Sequence, residues 1–254
     1  MKVAVVIPAR MGASRFPGKP LARICGLTML EHIYRRVSMA DGLDDVYVAT
    51  CDEEVREAVE AFGGKAIMTA DTHQRASDRT AEAAELLDVD IVCMVQGDEP
   101  LVHPEMITLA VKPLVDDRKI VCSNLVTKIR SQQEFTDQNT VKVVMDQDGF
   151  ALYFSREPIP TTQGFKGFYS DIPLHKQVCI IPFQKEFLFR YIRLSPTPLE
   201  VAEEIDMLRI LEHGYRVKMV ESEYNTHAVD TPEDLLLVEQ MMQSDPLLPK
   251  YDRK

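Results

Sequence analysis

The chain has 254 residues, 45% of them apolar, and a formal net charge of −11. That apolar share supports a packed core and argues against disorder. The acidic balance argues against a sequence-independent grip on nucleic acid as the main activity, since that needs clustered Lys and Arg to neutralise phosphates. No apolar run approaches the roughly 20 residues that span a bilayer, and residues 2–8 read as a strand instead of a signal-peptide core. The five cysteines (Cys25, Cys51, Cys93, Cys122 and Cys179) include no CxxC pair and mostly sit in apolar runs. The expectation is a cytoplasmic protein with reduced thiols, bound neither to membrane nor to nucleic acid.

Residues 2–8 (KVAVVIP) form a continuous β-branched run closed by proline, the pattern of a strand buried on both faces. A Gly/Pro-rich loop to Pro20 follows, then helical spacing over 28–39. The alternation continues with strands at 45–50, 65–69 and 90–95 and helices at 53–62 and 79–87. Such alternation implies right-handed crossovers and a mostly parallel, Rossmann-like sheet with helices on both faces. A helix over 104–115 and a strand over 120–127 come next. Between 137 and 198 the texture changes to paired short strands at 141–145, 150–154 and 178–181, with a polar loop at 160–171. This predicts an inserted antiparallel lobe at 137–198 within an α/β domain of residues 1–136 and 199–254. A single helix is expected over 199–213, capped by Gly214, then a strand over 217–220 and a helix over 232–242. The tail from 243 to 254 carries no fold signal.

Between the first strand and first helix runs PARMGASRFPGKP, residues 8–20, with Arg10, Arg15 and Lys19 in ten residues of an acidic chain. Its place, at the carboxyl end of a central strand, is where open α/β sheets bind ligands. Guanidinium forks suit phosphate oxygens, and Gly12 and Gly18 allow close backbone approach. The loop is neither a Walker loop nor GxGxxG. The plain alternative is a solvated basic turn. Two acidic motifs stand far apart. Gln96-Gly97-Asp98-Glu99-Pro100 follows a strand, where Asp98 could serve Mg²⁺, a hard cation taking one or two protein carboxylates. Val229-Asp230-Thr231-Pro232 offers a second carboxylate, although Asp230 equally suits the N-cap of the last helix with Glu233 completing a capping box.

Taken together, IPARMGASRFPGKPL, QGDEP, YFSREPIP at residues 153–160 and VDTPED resemble the signatures of the CMP-3-deoxy-manno-octulosonate (CMP-Kdo) synthetases, and more distantly of sialic-acid cytidylyltransferases. The likeness runs from residue 3 to 242. It implies transfer of CMP from CTP to the anomeric hydroxyl of an acidic sugar, with loss of pyrophosphate and no covalent enzyme intermediate, in the synthesis of lipopolysaccharide or another surface polysaccharide. It further implies Mg²⁺ held by Asp98 and Asp230, Arg10 and Lys19 at the reacting phosphates, and a homodimer. Nucleotide contacts would fall on Pro8, Ala9, Arg10, Ser14, Arg15, Lys19, Arg75, Ser77, Arg79 and Gln96. Sugar contacts would fall on Gln96, Arg156, Gln177 and Glu200, the last in a TPLE segment resembling a family helix.

Three departures bear on substrate. Arg75 and Ala76 replace Ser and Gly of the family's HxSGTDR segment, which lines the nucleotide pocket. Gln177 stands for a His and Ile181 for a Tyr of a sugar-side strand; Gln keeps hydrogen bonding but loses a possible charge. Cys51 stands where the family often has Asp, and reads as a small packing residue. A modified octulosonate, a nonulosonate or another acid therefore remains an alternative substrate. A non-catalytic scaffold is a further alternative, but it predicts loss of the cations and carboxylates that are present here. Strand faces bearing Val143, Val178 and Ile180 suit a dimer contact or the chain's own sheet equally.

Overall fold

Val3–Pro8 (β1) lies between two parallel neighbours, with Ala4 opposite both Asp45 and Val92, and this is why its sequence is continuously apolar and not alternating. The computed structural model describes residues 1–12, 16–162 and 174–252. After β1 the chain makes a 3₁₀ turn at Lys19–Leu21, then a hairpin of β2 (Arg23–Ile24) and β3 (Leu27–Thr28). Its two-residue turn holds Cys25 at φ 48° and Gly26 at φ 93°, both left-handed, as tight hairpins require. The strained Cys25 is held there by its N–H, which donates to Glu239 Oε1 at 2.9 Å.

Helix α1 (Met29–Val37) starts at Thr28, whose side chain accepts from the Glu31 N–H, and buries Leu30, Ile33 and Val37 along one stripe. Then come β4 (Asp45–Thr50), α2 (Glu53–Ala61), β5 (Ala66–Met68), α3 (Ala76–Glu85), β6 (Ile91–Val95) and α4 (Pro104–Asp116). In this part of the chain the strand order is β6-β1-β4-β5, all parallel, with α1, α2 and α3 packed on the strands. The mixed α/β architecture expected from sequence is observed.

The following stretch holds β7 (Ser123–Lys128), α5 (Gln132–Thr136), β8 (Lys142–Met145), β9 (Ala151–Ser155), β10 (His175–Val178), β11 (Ile180–Gln184), α6 (Lys185–Tyr191), α7 (Pro198–Glu203), α8 (Met207–Glu212) and β12 (Lys218–Glu221). Its sheet has the order β12-β7-β10-β8-β9, antiparallel except for β12 on β7. The chain closes with α9 (Pro232–Gln243) and α10 (Leu248–Tyr251). Two compact units result, Met1–Thr108 with Asn225–Lys254, and Leu109–Tyr224. The second is larger than a lobe of 137–198, because β7 and β12 pair within the sheet of β8, β9 and β10. Val143, Val178 and Ile180 are buried in the chain's own packing. Among the described residues no helix is long and apolar enough to cross a membrane.

The helix expected over 199–213 is two helices. Glu204 takes a left-handed conformation, φ 53°, and ends α7. Arg156 meets the freed carbonyls, donating through Nε to Glu203 O at 2.7 Å and through Nη2 to Glu204 O at 3.3 Å. The tail without fold signal is also ordered. Tyr251 of α10 is buried and its hydroxyl lies 2.9 Å from both Arg36 Nε and His32 Nδ1. His32 Nε2 in turn faces the Ile24 carbonyl at 2.7 Å, and Arg36 pairs with Asp245 at 2.9 Å. A buried guanidinium needs such partners, and the tail supplies them.

Tyr251→Phe leaves Arg36 Nε and His32 Nδ1 without their shared partner and should cost about 1–3 kcal/mol in urea denaturation; an unchanged midpoint would show the contact to be idle. Burial, helped by the Arg36 charge and opposed by the Ile24 carbonyl, lowers the His32 pKa from its ordinary 6.5. The unfolded chain therefore binds this proton first as pH falls. His32's contribution is full above about pH 6.5 and declines as pH drops toward the folded value. His32→Gln should flatten that part of a stability–pH series; an unaltered slope contradicts the assignment.

Candidate active site

The basic loop is tied down at both ends. Ala9 N–H donates to Ala49 O at 2.9 Å, Met11 N–H to Asp52 Oδ2 at 2.7 Å, and Gly18 N–H to Met11 O at 3.1 Å. Gly18, at φ 74°, caps the 3₁₀ turn that begins with Lys19, a conformation that suits glycine. Ser14 and Arg15 lie outside the described residues. From this turn the Lys19 ammonium donates to Val229 O at 2.8 Å and stands 3.3 Å from Asp98 Oδ2 and 3.4 Å from Asp230 Oδ1. Two aspartates 132 positions apart in sequence thus meet at one cation. The main chain adds a tie, Val229 N–H to Asp98 O at 2.8 Å.

Asp230 is not the N-cap of α9. The N-cap of α9 is Thr231, whose hydroxyl accepts from Asp234 N–H, and the box is completed by Asp234, not Glu233. Asp234 Oδ2 accepts from both Asp230 N–H and Thr231 N–H. The cap is filled without the Asp230 carboxylate, which turns to Lys19. Burial raises the Asp98 pKa above the usual carboxylate range; the Lys19 charge pulls it back, and the neighbouring Asp230 charge adds to the rise.

These groups line a cleft of about 310 Å³ at the carboxyl ends of β1 and β6. Pro8, Ala9, Arg10, Arg75, Arg79 and Gln96 line it with them, whereas Ser77 is buried beside it and does not. Arg10 is exposed, and Arg75 is clamped by Asp78 through Nε at 2.9 Å and Nη2 at 2.7 Å. Arg79 is buried, its Nη1 on Thr69 Oγ1 and its Nη2 3.4 Å from Cys51 Sγ. Cys51 is therefore an acceptor for a cleft arginine as well as a packing residue. Ala76, noted above as a departure from the family pattern, lines the cleft too, and so do His73, Gln74, Gly97 and Pro20, to which no contact was assigned. His73 binds Glu82, whose carboxyl, although raised by burial, is brought below its usual range by the Ala70 N–H and His73. Gly97 has a steric signal: a Cβ there would come within 3.3 Å of Pro8 O.

The other expected sugar contacts belong to the second unit. Besides capping α7, Arg156 donates through Nη1 to Gln138 O at 3.0 Å, and its N–H donates to Glu203 Oε2 at 2.8 Å. The same Glu203 carboxylate accepts from Tyr153 Oη and Ser155 Oγ. Glu200 is buried, takes Arg209 Nε on Oε2 at 2.6 Å and Arg209 Nη2 on Oε1, and accepts the Thr197 N–H as a capping box. Both side chains therefore have partners within the second unit. Gln177 donates to Asn124 Oδ1 at 2.6 Å.

A cationic loop facing paired carboxylates at parallel strand ends is the arrangement of a nucleotidyltransferase. The family model described as Cytidylyltransferase matches residues 4–222. The chain is 44% identical to the 3-deoxy-manno-octulosonate cytidylyltransferase of Geobacter metallireducens over 92% of its own length and 95% of the relative's. It is equally similar to that of Geotalea uraniireducens, over 92% and 96%. The solved structure of CMP:2-keto-3-deoxy-manno-octonic acid synthetase complexed with CTP superposes with a TM-score of 0.89 at 37% identity, covering 96% of this chain and 99% of that one. The chain belongs to the 3-deoxy-manno-octulosonate cytidylyltransferase family.

Thr231→Ala removes the cap beside Asp230 and should lower stability by about 1 kcal/mol in urea denaturation. No change would mean that the box does not hold this segment.

Proposed function

We propose that the chain transfers the cytidylyl group of CTP to the anomeric hydroxyl of 3-deoxy-manno-octulosonate, releasing pyrophosphate, in the cytoplasm and for surface polysaccharide synthesis. The observation that carries this is the meeting of Lys19, Asp98 and Asp230 in a cleft also lined by Arg10, Arg75 and Arg79. The fold of a synthetase solved with CTP, matched over nearly the whole chain, supports the nucleotide.

Asp98 and Asp230 are the residues that would hold magnesium. The fit rests on the structure: both carboxylates already converge on one positive charge, and two carboxylates with room for water and phosphate suit this ion. Bound there, magnesium would withdraw charge from phosphate oxygens. The chain's own part is electrostatic and positional. Arg10 and Lys19 face the triphosphate and stabilise charge on the α-phosphate and departing pyrophosphate, and Arg75 and Arg79 add donors along the wall. Holding the sugar hydroxyl in line with the phosphorus makes the displacement effectively unimolecular. Gln96, in the cleft and after β6, suits either the nucleotide or a sugar hydroxyl. Assembly as a homodimer belongs to this reading on the family likeness alone, since Val143, Val178 and Ile180 are covered within the chain.

A second reading, a related acidic sugar, is favoured by Gln177, which stands where the family carries His and donates one of its two amide N–H groups to Asn124 Oδ1. A non-catalytic scaffold fits poorly with a cation and two carboxylates kept in register.

Pyrophosphate release should be fastest with CTP over UTP or ATP and with 3-deoxy-manno-octulosonate or a close analogue. Asp98→Ala and Asp230→Ala should each lower turnover by about 10² or more at saturating magnesium. Near-normal turnover in either variant would overturn the metal assignment, and a preference for a neutral sugar the substrate class.

A further inference from the structure

Lys19 does more in the free protein than a phosphate-binding lysine needs to do. An ammonium has three donors, and here three oxygens surround it: the Val229 carbonyl at 2.8 Å, Asp98 Oδ2 at 3.3 Å and Asp230 Oδ1 at 3.4 Å. A main-chain carbonyl with one oxygen from each of two carboxylates is a set of hard donors of the kind a divalent cation takes. The side-chain charge occupies the position between the two proposed metal ligands. It is also free to leave: its backbone is fixed by Lys19 N–H to Phe16 O at 3.2 Å, while its flexible four-carbon stem borders the cleft.

We propose that Lys19 is the built-in counter-ion of the metal site, neutralising Asp98 and Asp230 while no divalent cation is bound and competing with the cation for them. This rests on the reading of those aspartates as metal ligands. The two carboxylates are held together by main-chain bonds, Val229 N–H to Asp98 O and the Asp234 box behind Asp230, so their mutual repulsion persists whenever no cation stands between them. Lys19 removes that repulsion in the empty protein. An entering cation must displace it, and the ammonium then needs another anion within reach of its stem. The phosphates of a nucleotide in the same cleft provide one. Cation and nucleotide are thereby coupled: each makes the other's binding more favourable, by the same factor in both directions. The alternative is a permanent ion pair that the cation does not disturb.

The test uses Mn²⁺ alone, titrated into metal-free protein and followed through the electron paramagnetic resonance signal of the free ion. Lys19→Met and Lys19→Gln should each bind Mn²⁺ roughly tenfold or more tightly than the unmodified chain, the equivalent of one charge-assisted contact no longer displaced. Asp98→Asn should abolish that binding. In the unmodified protein, labelling of the Lys19 amine by an acylating reagent, read by peptide mass spectrometry, should rise once Mn²⁺ is bound. If neither Lys19 variant binds more tightly and labelling stays constant while Asp98→Asn still abolishes binding, Lys19 is a static ion pair: the proposal fails and the metal assignment stands. If Asp98→Asn binds Mn²⁺ as the unmodified chain does, the metal assignment fails and the proposal with it.

Discussion

Two carboxylates and an ammonium held within reach of one another, in a chain of net charge −11, are the constraint on which the rest of the cleft depends. An acidic protein that handles a polyanion has to concentrate its cations locally, because unit charges a few ångströms apart in a partly buried site interact several times more strongly than in water. The parallel sheet makes this feasible. It delivers the loops after β1 and β6 to the same edge, and the segment before α9 is fastened there by a main-chain bond to Asp98. The cations come from the loop after β1 and from α3, and the carboxylates from the loop after β6 and the entry to α9.

The motif around residue 156 has a different logic. Arg156 and Glu203 lock the end of β9 to the end of α7, and Glu200 and Arg209 lock α7 to α8. A buried ion pair of this kind is costly to break from one side, since the remaining charge is left without compensation. In the free protein Arg156 and Glu200 are thus engaged in holding these elements together.

Much of the fold was legible in the sequence because buried parallel strands need uninterrupted apolar runs: β4 falls on the expected residues, and β1 and β6 within one residue at their starts. The break at Glu204 was not, since a left-handed glutamate follows from Arg156 capping from another element and not from local propensity. Nor was the order of the tail, whose hold lies in Tyr251 reaching His32 and Arg36 more than two hundred residues away. In the site, Arg10, Lys19 and Asp98 stood out as charges at strand ends. Asp230 stayed ambiguous because metal ligands and helix caps use the same residue types, and the Thr231–Asp234 box removes the capping role alone. The contacts of Arg79 with Thr69 and Cys51 join three elements, and no spacing rule anticipates them.

The central claim is that one divalent cation sits between Asp98 and Asp230 with a triphosphate against the basic loop. The most direct measurement is an anomalous-scattering map of crystals grown with CTP and Mn²⁺. The account predicts a manganese peak bonded to both carboxylates, with the Lys19 ammonium moved onto a phosphate oxygen. A peak bound to neither aspartate, with Lys19 still bridging them, would contradict it.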